Sequence, residues 1–138
     1  MIQLTEEFVK NRVLEWLGKQ DYIISSVKTL TEHGVDIKAK KARSNLFYFI
    51  ECKGEPNNNP VKMRYPTLVS ALGEIIQRVT RKKYAKYALA LPETYKELVI
   101  RKIPWMACKR LSLEMLFVNT GGIVIRINWK DLRKEQSH

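Results

Sequence analysis

The run Leu46-Phe47-Tyr48-Phe49-Ile50-Glu51-Cys52-Lys53 constrains this chain more than any other segment. An extended chain presents alternate residues to opposite faces, and here both faces are apolar: Phe47 and Phe49 on one, Ile50 and Cys52 on the other. Such a strand needs cover on both sides, which places it centrally in a sheet. It closes on two charged residues, Glu51 and Lys53. A Glu or Lys in a buried strand needs a partner or a task.

The neighbouring sequence supplies a partner. Val35 to Lys40 reads as a second strand, and Lys41-Ala42-Arg43-Ser44-Asn45 reads as the turn of a hairpin. With the turn centred between Arg43 and Ser44, Asp36 falls directly opposite Glu51, with Cβ atoms about 5 Å apart on one face. Alternation adds Lys53 to that face and sends Cys52 and Ile50 to the other. Two opposed carboxylates repel, and a divalent cation offsets that cost, since oxygen ligands are what Mg²⁺ prefers. The backbone carbonyl of Cys52 lies between the acidic positions and is a natural further ligand. The bland alternative is an exposed Glu51–Lys53 pair, which would contribute little. The apolar character of the strand argues against it.

The rest of the chain reads as one domain, 1–138, with elements in the order αβββαβ followed by short helices and a hairpin. Thr5 caps a helix that ends near Gly18, with Val9, Val13, Trp16 and Leu17 at helical spacing. Tyr22 to Val27 is a strand. The polar loop of residues 54–60 precedes a second helix over Pro66 to Arg81, which carries Leu68, Leu72, Ile75, Ile76 and Val79 as its apolar stripe. Tyr87 to Leu91 is a strand, Glu93 to Lys102 a helix, and Pro104 opens another. A terminal hairpin turns at Thr120-Gly121-Gly122, and the tail after Trp129 is expected to fray. The pattern is that of an α/β (α+β) fold: a mixed sheet flanked by helices.

Gly34-Val35-Asp36 followed by Glu51-Cys52-Lys53 on the next strand resembles the signature of the PD-(D/E)XK, or restriction-endonuclease-like, nuclease superfamily. Val35 stands where the nominal proline would be. The order of elements through Leu91 is similar to that superfamily's core. The resemblance implies a Mg²⁺- or Mn²⁺-dependent phosphodiesterase acting on DNA. Asp36 and Glu51 would hold metal, and Lys53 would orient water or stabilise the charge that develops on the phosphate. It also implies a helix glutamate, for which Glu7 is preferred over Glu6 by its offset from Gly18. A glutamine on the second helix is implied as well, for which Gln77 is the candidate and Glu74 the competitor.

Charge points the same way. The chain carries a net +11, and nearly all of it lies beyond residue 60. A basic half suits a polyanion, and Arg78, Arg81, Lys82, Lys83 and Lys86 are the expected phosphate contacts. RNA stays open beside DNA as the substrate, and a nucleic-acid-binding accessory module stays open beside an enzyme. A two-fold homodimer would suit cutting both strands. No apolar run is long enough to span a bilayer, no secretory signal pattern is present, and two cysteines with two histidines are too scattered for structural zinc. These features lead to a cytoplasmic expectation, without a membrane partner.

Overall fold

The computed structural model describes residues 4–28, 35–79 and 84–137. Among the described residues, six strands form one sheet in sequential order: β1 Tyr22–Val27, β2 Ile37–Lys41, β3 Phe47–Cys52, β4 Ala85–Pro92, β5 Leu113–Val118 and β6 Val124–Ile127. The first three strands are antiparallel, β3–β4 and β4–β5 are parallel, and β6 returns antiparallel to β5. Parallel neighbours require crossovers. Helix α2, Pro60–Ile76, makes the first. A 3₁₀ turn at Glu93–Tyr95 with α3, Lys96–Lys102, and α4, Trp105–Leu111, makes the second.

Each face of the sheet has its own core. Helix α1, Glu6–Lys19, buries Val9, Val13 and Leu17 against Ile50, Cys52, Ala88, Ala90 and Leu116. Thr5 caps it by accepting from the Phe8 amide at 3.1 Å. The other face packs Leu89, Leu91, Met115 and Phe117 under Leu68, Ala71 and Ile75 of α2, Val99 of α3 and Cys108 of α4. Leu132 of α5, Trp129–Gln136, joins this second core. The sheet is thus covered on both sides, as the apolar β3 requires.

The hairpin register matches the sequence reading. Ile37 pairs Ile50, Lys38 pairs Phe49 and Ala39 pairs Tyr48, which carries Asp36 to the position facing Glu51. Arg43 adopts positive φ, 60°, at the tip.

Two elements differ from expectation. Helix α2 begins at Pro60 and ends at Ile76, not Pro66 to Arg81. Pro60 fits the first turn, where the lost N–H is unpaired anyway. Pro66 sits inside the helix, at a position where the packing of Leu68, Ala71 and Ile75 outweighs its missing hydrogen bond. The tail after Trp129 is helical rather than frayed. Asn128 accepts from the Lys130 and Asp131 amides, Asp131 accepts from the Asn128 amide, and Leu132 anchors the turn in the core.

Candidate metal centre

The C-terminal end of β3 is where the charged groups meet. Asp36 and Glu51 are each only 2% exposed. Asp36 Oδ2 accepts the Cys52 amide at 2.7 Å, and its Oδ1 lies 3.4 Å from Lys28 Nζ. Glu74 and Asp36 both act on the Glu51 carboxyl, and both raise its pKa. Lys53 Nζ donates to Glu74 Oε1 at 3.1 Å. Two carboxylates of the hairpin, one from α2 and two ammonium groups therefore form a single connected cluster.

Its electrostatics follow from crowding. Burial first, then the hydrogen bond to Glu74 and the charge of Asp36, push the Glu51 carboxyl well above the usual carboxylate range. Glu74, hydrogen-bonded to Glu51 and Lys53, moves the opposite way. Burial works against the Lys53 ammonium, but Glu74, Glu51 and Glu6 outweigh it and keep it charged. A lysine held as a cation acts through charge and hydrogen bonding, not as a general base.

Cys52 contributes main chain only. Its thiol is fully buried on the α1 face, and burial pushes its pKa well up. A strand residue directs its N–H and C=O to the same neighbour. The Cys52 N–H reaches Asp36, so its carbonyl points toward the same edge, beside the acidic pair.

The approach of α1 depends on one glycine. A Cβ at Gly54 would stand 2.1 Å from the Glu6 nitrogen and 2.6 Å from the Thr5 carbonyl carbon. The Glu55 amide donates to the Leu4 carbonyl at 2.7 Å across this junction. Glu55 is itself fixed by Arg64, at 2.6 Å from Nε, and by the Thr94 hydroxyl, at 2.6 Å. The loop after the strand is thus tied down near its start. Backbone on backbone cannot yield as a side chain would. Gly54→Ala is therefore expected to destabilise the fold by about 2–3 kcal/mol. Thermal unfolding checks this, and an unchanged Tm would show that α1 can shift without cost.

The structure reassigns several candidates. Glu6, not Glu7, is the helix carboxylate that faces the cluster. Burial and then the charge of Asp36 raise its pKa, while Lys53 lowers it. Glu6 and Glu7 are both exposed, and it is the influence of Asp36 and Lys53 on Glu6 that separates them. Gln77 is the exposed C-cap residue of α2, outside the cluster, and Glu74 takes the place proposed for it. Arg78 is exposed beyond the helix end. Lys86 lies on the α1 face, 3.4 Å from Glu114 and stacked over Tyr48 at 4.3 Å, so it does not line this site. Arg81, Lys82 and Lys83 lie outside the described residues. Lys28, Glu74, Glu6 and Gly54 are the contributors that sequence patterning either missed or ranked second.

Among the described residues, no group of three or more His, Cys, Asp or Glu side chains is placed to hold a metal ion. Mg²⁺ does not require such a group, because it is commonly held by one or two carboxylates with water completing the shell. The donor set fits a hard divalent cation: two buried carboxylates, an edge carbonyl, and a Glu51 proton that such an ion would displace.

Fold and site together describe a mixed α/β domain with an acidic cluster and a charged lysine where its central strand ends. No family model matches the chain. No curated protein matches it either. Solved structures do. An XisH family protein from Nostoc punctiforme is similar over 88% of this chain and 99% of its own, at 20% identity and a TM-score of 0.61. An fdxN element excision controlling factor protein from Anabaena variabilis covers the same shares, at 19% identity and a TM-score of 0.52. The likeness is one of fold.

Proposed function

We propose that this chain is a metal-dependent nuclease that hydrolyses DNA phosphodiester bonds, with a PD-(D/E)XK-type site. The observation that carries the reading is the burial of Asp36 and Glu51 together at the end of β3, beside a Lys53 that stays charged. A structural role alone gives no reason to bury two carboxylates side by side. The name of the second structural neighbour, an excision controlling factor, accords with a nucleic-acid substrate.

In this reading Asp36, Glu51 and the Cys52 carbonyl hold a divalent ion, whose chemistry is to lower the pKa of water and to neutralise phosphate charge. Lys53 places an ammonium beside the scissile phosphate and stabilises charge as it develops there. Glu74 fixes the Lys53 rotamer through their hydrogen bond, and Lys28 balances Asp36. The test is incubation with supercoiled, linear, single-stranded and branched DNA in Mg²⁺, Mn²⁺ or chelator. Cutting in metal and none in chelator supports the proposal; intact DNA of every form in both metals refutes it.

The raised Glu51 pKa gives a second check. The folded chain retains a proton on Glu51 that the unfolded chain loses once pH exceeds the ordinary carboxylate range. That contribution to stability is full below this range and is lost as pH rises through the folded value. In chelator, wild-type stability is therefore expected to fall relative to Glu51→Gln on going from acidic to alkaline pH, by about 1–3 kcal/mol. Saturating Mn²⁺ should remove the difference in slope. Denaturant titrations at several pH values read it directly, and parallel curves in chelator would deny that Glu51 retains the proton.

A further inference from the structure

A second feature lies on the same face of the sheet. Trp105 and Trp129 stack with ring centroids 5.7 Å apart. Cations surround them: Arg133 lies 4.8 Å over Trp105, Lys109 4.8 Å over Trp129, and Lys130 5.6 Å over Trp129. A groove of about 700 Å³ opens here, lined by Trp129, Lys130, Arg133, Lys134 and Ser137. Residues 130, 133, 134 and 137 follow i, i+3, i+4, i+7 spacing, so they form one stripe of α5, while Leu132 on another side anchors the helix.

Three observations show that this is more than a solvated helix face. Among the described residues, no ion pair joins Lys109, Lys130, Arg133 or Lys134 to a carboxylate. Of the two acids in the stretch, Asp131 is occupied in the capping box, and among the described residues Glu135 joins no ion pair with these cations. The helix dipole accounts for Arg133 and Lys134 in the last turn, but Lys130 sits in the first turn, where the dipole disfavours a cation. Uncompensated positive charge ordered around an apolar indole floor complements a phosphate chain with flat apolar groups attached.

Position ties the groove to the site. Glu51 pairs Leu89, Leu89 pairs Met115, and Met115 pairs Ile127, so one row of the sheet runs from the acidic cluster to the end of β6. Three strand spacings make about 14 Å. Trp129 follows Ile127 by two residues, and both pack on the core of the same face. Leu89 and Met115 of that row are buried, so a nucleic acid seated at Glu51 would reach α5 by passing around the outside of the helices that cover this face.

We infer that the groove around Trp129 is the phosphate-backbone contact of the nucleic-acid substrate, with Lys130, Arg133, Lys134 and Lys109 as its cations. This rests on the nucleic-acid reading above and names where that substrate is held. It moves the contact away from Lys86, which is paired to Glu114.

The experiment measures anisotropy of a labelled mixed-sequence oligonucleotide in chelator, single-stranded and duplex, across a salt series. The proteins are wild type, K130E/R133E/K134E and Asp36→Asn. The triple variant should bind at least about tenfold more weakly at moderate salt, with the log–log salt slope flattened by about three units. Its unfolding temperature is followed in parallel. Intrinsic fluorescence localises the contact: oligonucleotide should change the emission of wild type, and Trp129→Phe should lose most of that change while Trp16→Phe keeps it. Wild-type affinity and slope in the folded triple variant would overturn the inference. So would equal competition by inorganic polyphosphate with no change in tryptophan emission. Asp36→Asn removes a negative charge beside the seated phosphate, so in chelator it should bind at least as tightly as wild type does. A wild type that binds through this groove yet never cuts in Mn²⁺ refutes the nuclease proposal and leaves the groove standing. Cutting with no contribution from the triple site does the reverse.

Discussion

Asp36→Asn is expected to lower metal-dependent DNA cleavage by about 10³-fold or more while the protein stays folded. The isostere separates the two roles of Asp36. Its Oδ2 accepts the Cys52 amide, and an asparagine carbonyl can accept the same hydrogen bond. The register of β2 against β3 should therefore survive. What is lost is the negative charge that pairs with Lys28 and would face a cation. The substitution also removes one of the influences that raise the Glu51 pKa, so Glu51 should ionise more readily in the variant. Single-turnover cleavage under saturating Mn²⁺, with unfolding temperature as control, measures both effects. A folded variant that cuts at the wild-type rate would take Asp36 out of the site.

Lys53→Ala should also abolish most turnover, by about 10²–10³-fold, but with divalent-ion affinity close to that of wild type. Lys53 is hydrogen-bonded to Glu74 and influenced by Glu51 and Glu6, all of which keep it protonated. A group in that state offers charge to a developing oxyanion and no lone pair to a metal. Its removal leaves Asp36, Glu51 and the Cys52 carbonyl in place. Glu74 loses its cation, but it sits at a half-exposed position where water can replace the contact. Cleavage kinetics and calorimetric metal titration distinguish the roles. Loss of metal affinity together with loss of fold would make Lys53 structural.

The hairpin was legible because its information is local. A short polar turn and strict alternation fix the pairing of Ile37 with Ile50, and that pairing places Asp36 opposite Glu51. What surrounds the hairpin was less legible, because it depends on contacts distant in sequence. Lys28 reaches Asp36 through an irregularity between Ile24 and Ser26 that shifts the β1–β2 register by one. No local pattern announces that shift. The choice between Glu6 and Glu7 turns on how closely the start of α1 approaches β3, and the close contact at Gly54 decides it. The glycine directly after Lys53 was the available signal.

The second helix shows the opposite failure, in which a sound local rule lost to packing. A proline ordinarily marks a helix start, and Pro60 and Pro66 competed for that position. The buried Leu68, Ala71 and Ile75 hold the helix through Pro66, and it ends before Gln77. Glu74 therefore reaches Lys53 while Gln77 stays at the exposed cap. At the C-terminus the Asn128–Asp131 capping pair was present in the sequence, but the polar composition of residues 130–137 obscured it. The same polar composition hid the tryptophan groove, since Trp105 and Trp129 come together only through the packing of α4 against α5.

In the proposed site, Asp36 and Glu51 share one divalent cation. Calorimetric titration of the metal-free protein with Mn²⁺ tests it most directly, run beside Asp36→Asn and Glu51→Gln. Wild type should take up one ion per chain and release a proton on binding at neutral pH, and both variants should lose that binding. Binding that persists unchanged in both variants, or a folded wild type that takes up no ion, would contradict a shared ion.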